Sequence, residues 1–180
     1  MKLGWSHTVL NIKDKKKILE FYIDTLGFKI SDSGPVFENG PEIIFISYDP
    51  NEHHQLAFVL GREDITSSTA LNHISFRVES YEELQQIKEK FDAINHSYMP
   101  LCHGNALSFY FNDPENNGME IFFDTPWDVE QPQGEPWDPE LDEKGALDWV
   151  ERTFKDKPGF VLRDESTKEF VNRQQKEESI

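Results

Sequence analysis

The sequence predicts a mixed α+β fold built from two βαβββ modules in tandem, followed by a C-terminal extension. Two observations predict the modules. With an offset of 66 residues, the segment around His7 lies over the segment around His73, and a helix-like run from Asp14 to Gly27 lies over residues 80–93. In both halves, strand-like patterns precede and follow that run. Such self-similarity is typical of a duplicated supersecondary unit.

The first module is predicted to span residues 1–61. Alternating residues indicate a strand at 4–12, in which His7 shares a face with Val9 and Asn11. A helix should follow, with Asp14 as its N-cap and Gly27 as its C-cap. Turn-forming residues then separate three further strand-like segments, at 28–31, 41–48 and 54–60.

The second module repeats this order over residues 71–125, after a polar connector at 62–70. Its predicted elements are a strand at 71–79, a helix at 81–94, and strands near 97–101, 105–112 and 118–124, with a polar turn at 113–118.

Residues 126–180 form the predicted extension, which is acidic and rich in proline at its start. That start should run extended over the surface. A helix is predicted at about 140–155, and the last twenty residues indicate an amphipathic or frayed helix.

Composition excludes several classes of partner. The 180 residues carry a formal net charge of −16, which argues against binding to nucleic acid or to an anionic membrane. The apolar runs are far shorter than the roughly 20 residues that a spanning helix needs, and the start lacks the apolar core of a signal peptide. Cys102 is the single cysteine, so an internal disulfide is excluded. We therefore expect a soluble, cytoplasmic protein.

The duplicated histidines suggest a metal site. His7 and His73 occupy matching positions, and Glu120 lies in the last strand of the second module. Two imidazoles and one carboxylate on one face of an octahedral ion are typical of non-heme Fe(II) oxygenases. The same offset places His54 over Glu120, so the sequence also allows a fourth donor at the equivalent position of the first module.

Three segments carry a family resemblance: Ser6-His7-Thr8-Val9-Leu10, the run Leu107-Ser108-Phe109-Tyr110-Phe111-Asn112-Asp113-Pro114 after His103-Gly104, and Gly118-Met119-Glu120-Ile121. They resemble the vicinal oxygen chelate superfamily, in particular small one-domain type I extradiol dioxygenases of the catechol 2,3-dioxygenase and biphenyl-2,3-diol dioxygenase group. The resemblance covers roughly residues 4–127. Asn116-Asn117 departs from the family's usual Asp-Gly-Asn turn.

The resemblance implies that the modules form one curved-sheet, half-open barrel. It also implies that His7, His73 and Glu120 bind Fe(II) or, less often, Mn(II), while His54, His103 and Tyr110 supply acid–base groups. The substrate would be a small aromatic diol together with dioxygen, and an assembly of two or more copies is expected. The choice of catechol and the side of cleavage stay open.

Two alternatives fit the same resemblance. A glyoxalase-like lyase or isomerase would use four protein ligands to Zn(II) or Ni(II), with His54 standing where glutamate is usual. A non-catalytic module that binds a small aromatic drug would not need the metal ligands at all. The bound metal separates the three.

Overall fold

The computed structural model describes residues 7–50, 52, 54–63, 71, 73–130 and 132–164. In chain order, its elements are β1 (Thr8–Ile12), α1 (Lys15–Leu19), β2 (Lys29–Pro35), β3 (Glu42–Ser47), β4 (Leu56–Leu60), β5 (Ile74–Val78), α2 (Tyr81–Ala93), β6 (Tyr98–Cys102), β7 (Ala106–Asn112), β8 (Gly118–Asp124), β9 (Trp127–Asp128), β10 (Glu135–Pro136), α3 (Glu143–Phe154) and β11 (Val161–Leu162). The chain divides into two compact units, Met1–Asn72 with Asn112–Gly118, and His73–Phe111 with Met119–Ile180.

Each unit contains one larger sheet, and these two sheets have the same topology; in the second unit β9 and β11 also pair as a separate two-stranded sheet. The first has the strand order β1-β4-β3-β2 and the second β5-β8-β7-β6, with β10 added beside β6. In both, the first strand of the module runs parallel to the last. Within the described residues neither sheet closes on itself. The predicted α+β class with tandem βαβββ modules is confirmed.

The helix of the first unit begins as predicted and then widens. The Asp14 side chain accepts a hydrogen bond from the Lys17 N–H and caps α1. The helix continues as a π-helical segment, Glu20–Thr25, which the 3.6-residue pattern did not indicate. Gly27 ends it with φ +88°, a backbone conformation that favours glycine.

The predicted turn after β7 is present and belongs to the first unit. Glu115 is 2% exposed, and its carboxylate accepts hydrogen bonds from the backbone N–H groups of Lys13, at 2.6 Å, and of Asp14. The Asp113 carboxylate accepts from the Glu115 N–H at 2.9 Å and from the Tyr22 hydroxyl at 3.2 Å. This polar turn is therefore a buried anchor for the start of α1.

The described part of the extension packs onto the larger sheet of the second unit. Trp137 is 4% exposed and stacks on Phe109 with ring centroids 5.6 Å apart, while β10 pairs with β6. Helix α3 confirms the predicted helix and buries Val150 and Phe154 completely. The expectation that the proline-rich start runs over the surface is wrong at Val129 and Trp137, because apolar burial outweighs the polar character of their neighbours.

Residues 165–180 lie outside the described residues, and with them most of the second helix expected in the extension. In the part of the chain that is described, no helix combines the length and apolar character needed to cross a membrane.

Candidate metal and acid–base site

Glu120 lies at the centre of a polar cluster on one face of the second sheet. It occupies β8 directly opposite Ser75 of β5, and it is 7% exposed. Because side chains alternate along a strand, His73 lies on the same face as Ser75. Tyr110 of β7 joins them, since its ring centroid lies 5.4 Å from that of His73. Three neighbouring strands therefore bring an imidazole, a phenol and a carboxylate together.

Hydroxyl groups hold the Glu120 carboxylate in its charged form. Burial alone would raise its pKa, but the neighbouring hydroxyls of Ser75, Ser108 and Tyr110, with the charge of His73, lower the pKa below its usual value. Ser75 has the largest lowering effect, and its Oγ donates directly to Glu120 Oε2. A buried carboxylate that stays ionised at neutral pH is suited to binding a cation.

Ser108 acts on Glu120 differently from Ser75. Its hydroxyl is buried without a partner at hydrogen-bond geometry among the described residues. We attribute its contribution to the lowered pKa of Glu120 to an oriented dipole rather than to a formed hydrogen bond.

His73 is close enough to Glu120 to share a metal ion with it. Its Nε2 lies 3.5 Å from Glu120 Oε2, and about a third of its side chain is exposed. Two donors that each lie about 2.1 Å from one ion are at most about 4.2 Å apart, so this pair can bind one ion without a change of backbone. The nitrogen and oxygen donors fit Fe(II) or Mn(II) chemically.

His103 and Tyr110 form a hydrogen-bonded pair beside Glu120. His103 Nε2 lies 2.9 Å from the Tyr110 hydroxyl oxygen and 4.0 Å from Glu120 Oε1. Burial first, and then the neighbouring Glu120 carboxylate, raises the pKa of Tyr110 well above its usual value. Tyr110 therefore stays protonated at neutral pH and can donate a hydrogen bond. Of the three acid–base residues that the resemblance implies, His103 and Tyr110 therefore lie together.

His7 and His54 form a second pair, in the first unit. Their ring centroids are 4.3 Å apart, and Phe45 packs against His54 at 4.8 Å. His7 is exposed on the same face of β1 as Val9, as the alternation predicted, while Leu10 and Ile12 fill the buried face.

The register of the strands corrects one inference from the repeat. Thr8 pairs with Leu56 in the first unit, and Ile74 pairs with Met119 in the second. Since Thr8 corresponds to Ile74, Leu56 corresponds to Met119, and the counterpart of Glu120 is Ala57. His54 is therefore not the equivalent of Glu120. The constant offset fails because the first module has three more residues between its first and last strands.

The three-ligand hypothesis stays a prediction. Within the described residues, no group of three or more His, Cys, Asp or Glu side chains is arranged to hold a metal ion. The structure instead shows the pair His73 and Glu120 in the second unit and the pair His7 and His54 in the first.

Two contributors to this site were not predicted from the sequence. Ser75 anchors the Glu120 carboxylate, and the backbone carbonyl of Gln133 lies 2.6 Å from His103 Nδ1. Ser75 was detectable in principle, since it lies two residues after His73 in a strand. Gln133 gave no signal, because any residue supplies a backbone carbonyl.

Comparison with known proteins gives a consistent family. The sequence model of the glyoxalase/bleomycin resistance protein/dioxygenase superfamily matches residues 4–121. A lactoylglutathione lyase from Salmonella typhimurium is 23% identical over 119 residues, which are 64% of this chain and 88% of the relative. Biphenyl-2,3-diol 1,2-dioxygenase 3 from Rhodococcus globerulus is 29% identical over 128 residues, which are 66% of this chain and 62% of the relative. This chain therefore spans less than two thirds of that dioxygenase.

Solved structures agree on the fold. The fosfomycin resistance protein FosX from Listeria monocytogenes, solved with Mn(II) and sulfate, has a TM-score of 0.55 at 23% identity, over 69% of this chain and 95% of that one. A glyoxalase/bleomycin resistance protein/dioxygenase domain from Frankia sp. EAN1pec has a TM-score of 0.57 at 21% identity, over 69% and 94%. The relatives include both lyases and a dioxygenase, so the family accommodates more than one reaction.

Proposed function

Because this chain belongs to the glyoxalase/bleomycin resistance protein/dioxygenase superfamily, we propose that it is an Fe(II)-dependent enzyme that cleaves the ring of a catechol-type diol with dioxygen, next to the two hydroxyls. The observation that carries this proposal is the hydrogen-bonded pair of His103 and Tyr110 beside the ionised Glu120 carboxylate. Ring cleavage needs protons to be removed from and returned to a bound diol, and this pair is suited to that work.

His73 and Glu120 would hold the metal, together with His7 of the first unit. Fe(II) is the favoured ion and Mn(II) the alternative, since both accept imidazole and carboxylate ligands. When bound, the ion would offer neighbouring positions to the two diol oxygens and to dioxygen, and an electronic link between them.

Proton transfer is the task of the surrounding residues. The raised pKa of Tyr110 keeps its hydroxyl protonated, so it can donate to a diol oxygen and fix which hydroxyl ionises. His103 Nε2, at 2.9 Å from the Tyr110 hydroxyl, can take up and return a proton through it. His54 is proposed as a further acid–base group, and Phe45 packs against its ring and limits its orientations.

The strand register supports three ligands rather than four. A lyase that uses all four equivalent positions needs a donor opposite the first strand in each module, and here the first module has Ala57 at that position. A methyl group cannot bind a metal. This residue therefore favours the oxygenase, whose ligand set leaves positions open for substrate and dioxygen.

A metal-dependent lyase or isomerase is the second candidate, and one observation favours it. His54 lies against His7, with ring centroids 4.3 Å apart, so an imidazole is available as a fourth donor from a different position. The lactoylglutathione lyase relative is consistent with this alternative, since the match spans 88% of it.

Metal analysis of protein purified without air, followed by assay with a panel of catechols, tests the proposal. We expect bound iron, a yellow ring-fission product and oxygen uptake. Tyr110→Phe should retain iron and lose most of the turnover. His54→Ala should likewise retain iron. Bound zinc or nickel, with metal loss in His54→Ala, would favour the lyase. Binding of aromatic compounds without any metal would favour a non-catalytic module.

A further inference from the structure

His103 lies between two oxygen atoms of different chemistry. Its Nδ1 is 2.6 Å from the backbone carbonyl oxygen of Gln133, and its Nε2 is 2.9 Å from the hydroxyl oxygen of Tyr110. A carbonyl oxygen has no proton to give, so the short contact requires a proton on Nδ1. The hydroxyl of Tyr110 can both donate and accept, so it places no such requirement on Nε2.

The Gln133 carbonyl is held in place by the extension. Two residues after it, Glu135 of β10 pairs with Cys102, the residue before His103, and Pro136 pairs with Leu101. Trp137 follows, buried against Phe109, and its indole N–H donates to the Ser108 carbonyl at 3.3 Å. The carbonyl is thus fixed beside β6, the strand that leads into His103.

The loop that carries His103 is also packed by the extension. Gly104 has φ +80°, and a side-chain carbon at this position would lie 2.5 Å from Val129 and 3.1 Å from Phe154. Val129 and Phe154 are both buried. The residues around His103 therefore depend on the extension for packing as well as for a hydrogen bond.

We propose that the C-terminal extension is a positioning element for the acid–base site. Through the Gln133 carbonyl it fixes the proton of neutral His103 on Nδ1, which leaves Nε2 as the ring nitrogen that exchanges a proton with Tyr110. The extension lies beyond residues 4–121, where the superfamily model matches, so it adds to the shared fold. The catalytic consequence rests on the proposed function, whereas the position of the proton does not.

Nitrogen NMR of metal-free protein labelled with ¹⁵N-histidine tests this directly, at a pH where the His103 ring is neutral. The spectrum of His103→Gln identifies the His103 signals by their loss. We expect Nδ1 to be the protonated nitrogen and Nε2 the unprotonated one, with Nδ1–H showing Overhauser contacts to the protons of Gly134. A proton on Nε2, or Nδ1–H without those contacts, would overturn the proposal.

Two variants separate the backbone carbonyl from the side chain of the same residue. Gln133→Ala should leave the tautomer unchanged, because it keeps the backbone carbonyl and removes the side chain, which donates an exposed hydrogen bond to the Glu130 carbonyl. A glycine inserted between Gln133 and Gly134 should displace the carbonyl and give a mixture of tautomers. An inserted variant that folds, judged by circular dichroism, and still shows pure Nδ1–H would contradict the role of the extension.

The wild-type spectrum decides the tautomer even if the inserted variant does not fold. If the tautomer is as expected but no catechol is cleaved, the proposed function fails while the positioning role of the extension stands.

Discussion

Replacement of Ser75 by alanine tests whether the Glu120 carboxylate is prepared for a cation. The Ser75 hydroxyl donates to Glu120 Oε2 and has the largest lowering effect on the pKa of that carboxyl. A hydrogen bond to a charged group contributes about 1.5–3 kcal/mol, which corresponds to roughly a 10- to 150-fold change in an equilibrium constant. Groups that orient a metal ligand have effects of about 10- to 100-fold on metal affinity.

Exposure of Ser75 decides which end of this range applies. Ser75 is exposed, whereas Glu120 is buried. Water can therefore take the place of the missing hydroxyl in part. We expect Ser75→Ala to weaken metal binding by about 10-fold, near the lower end of the range.

Calorimetric titration of the metal-free protein with Mn(II) measures this effect. Ser75→Thr is the matched control, because it keeps the hydroxyl and threonine is well accommodated in a strand. It should bind Mn(II) within about threefold of the wild type. If Ser75→Ala bound as tightly as the wild type, the hydroxyl would not prepare Glu120 for the metal, and the reasoning would be refuted.

Three further predictions concern the framework of the site. Burial raises the pKa of the Cys102 thiol from 9.0 to about 12, so the folded protein should not react with a thiol reagent at pH 8, and rapid labelling at that pH would contradict this. Because the unfolded chain releases this proton first, the free energy of unfolding should fall as the pH rises from about 9 to 12. Glu115→Ala removes the acceptor of the Lys13 and Asp14 N–H groups and should lower the free energy of unfolding, measured by urea denaturation, by about 2–4 kcal/mol. Glu115→Gln should lower it less, and equal losses in the two variants would argue against these hydrogen bonds. Phe154→Ala should cost about 3–5 kcal/mol in the same assay, because this side chain is completely buried, and a loss below about 1 kcal/mol would be inconsistent with that burial.

Most of the fold was predictable because its signals are local. Alternation placed His7 with Val9, and the N-cap at Asp14 marked the start of a helix. Helix α2 begins after a capping box of Ser80 and Glu83, at the predicted first residue, and ends one residue before the predicted end. Such patterns need only a few consecutive residues, so they can be recognised without tertiary structure.

Features that depend on distant contacts were not predictable. The equivalence of Glu120 with Ala57 rather than His54 follows from strand register, which a constant offset cannot detect once one module has extra residues. The contact of His103 with the Gln133 carbonyl joins two segments without a common pattern. Burial of Trp137 was missed because neighbouring prolines and acidic residues indicated an exposed segment.

Mass spectrometry of the product formed from 3-methylcatechol under ¹⁸O₂ tests the central claim most directly. Iron-loaded protein should open the ring and incorporate both atoms of dioxygen, with uptake of one dioxygen for each diol consumed. Unchanged 3-methylcatechol, with no uptake of dioxygen by the iron-loaded protein, would contradict the proposed ring cleavage.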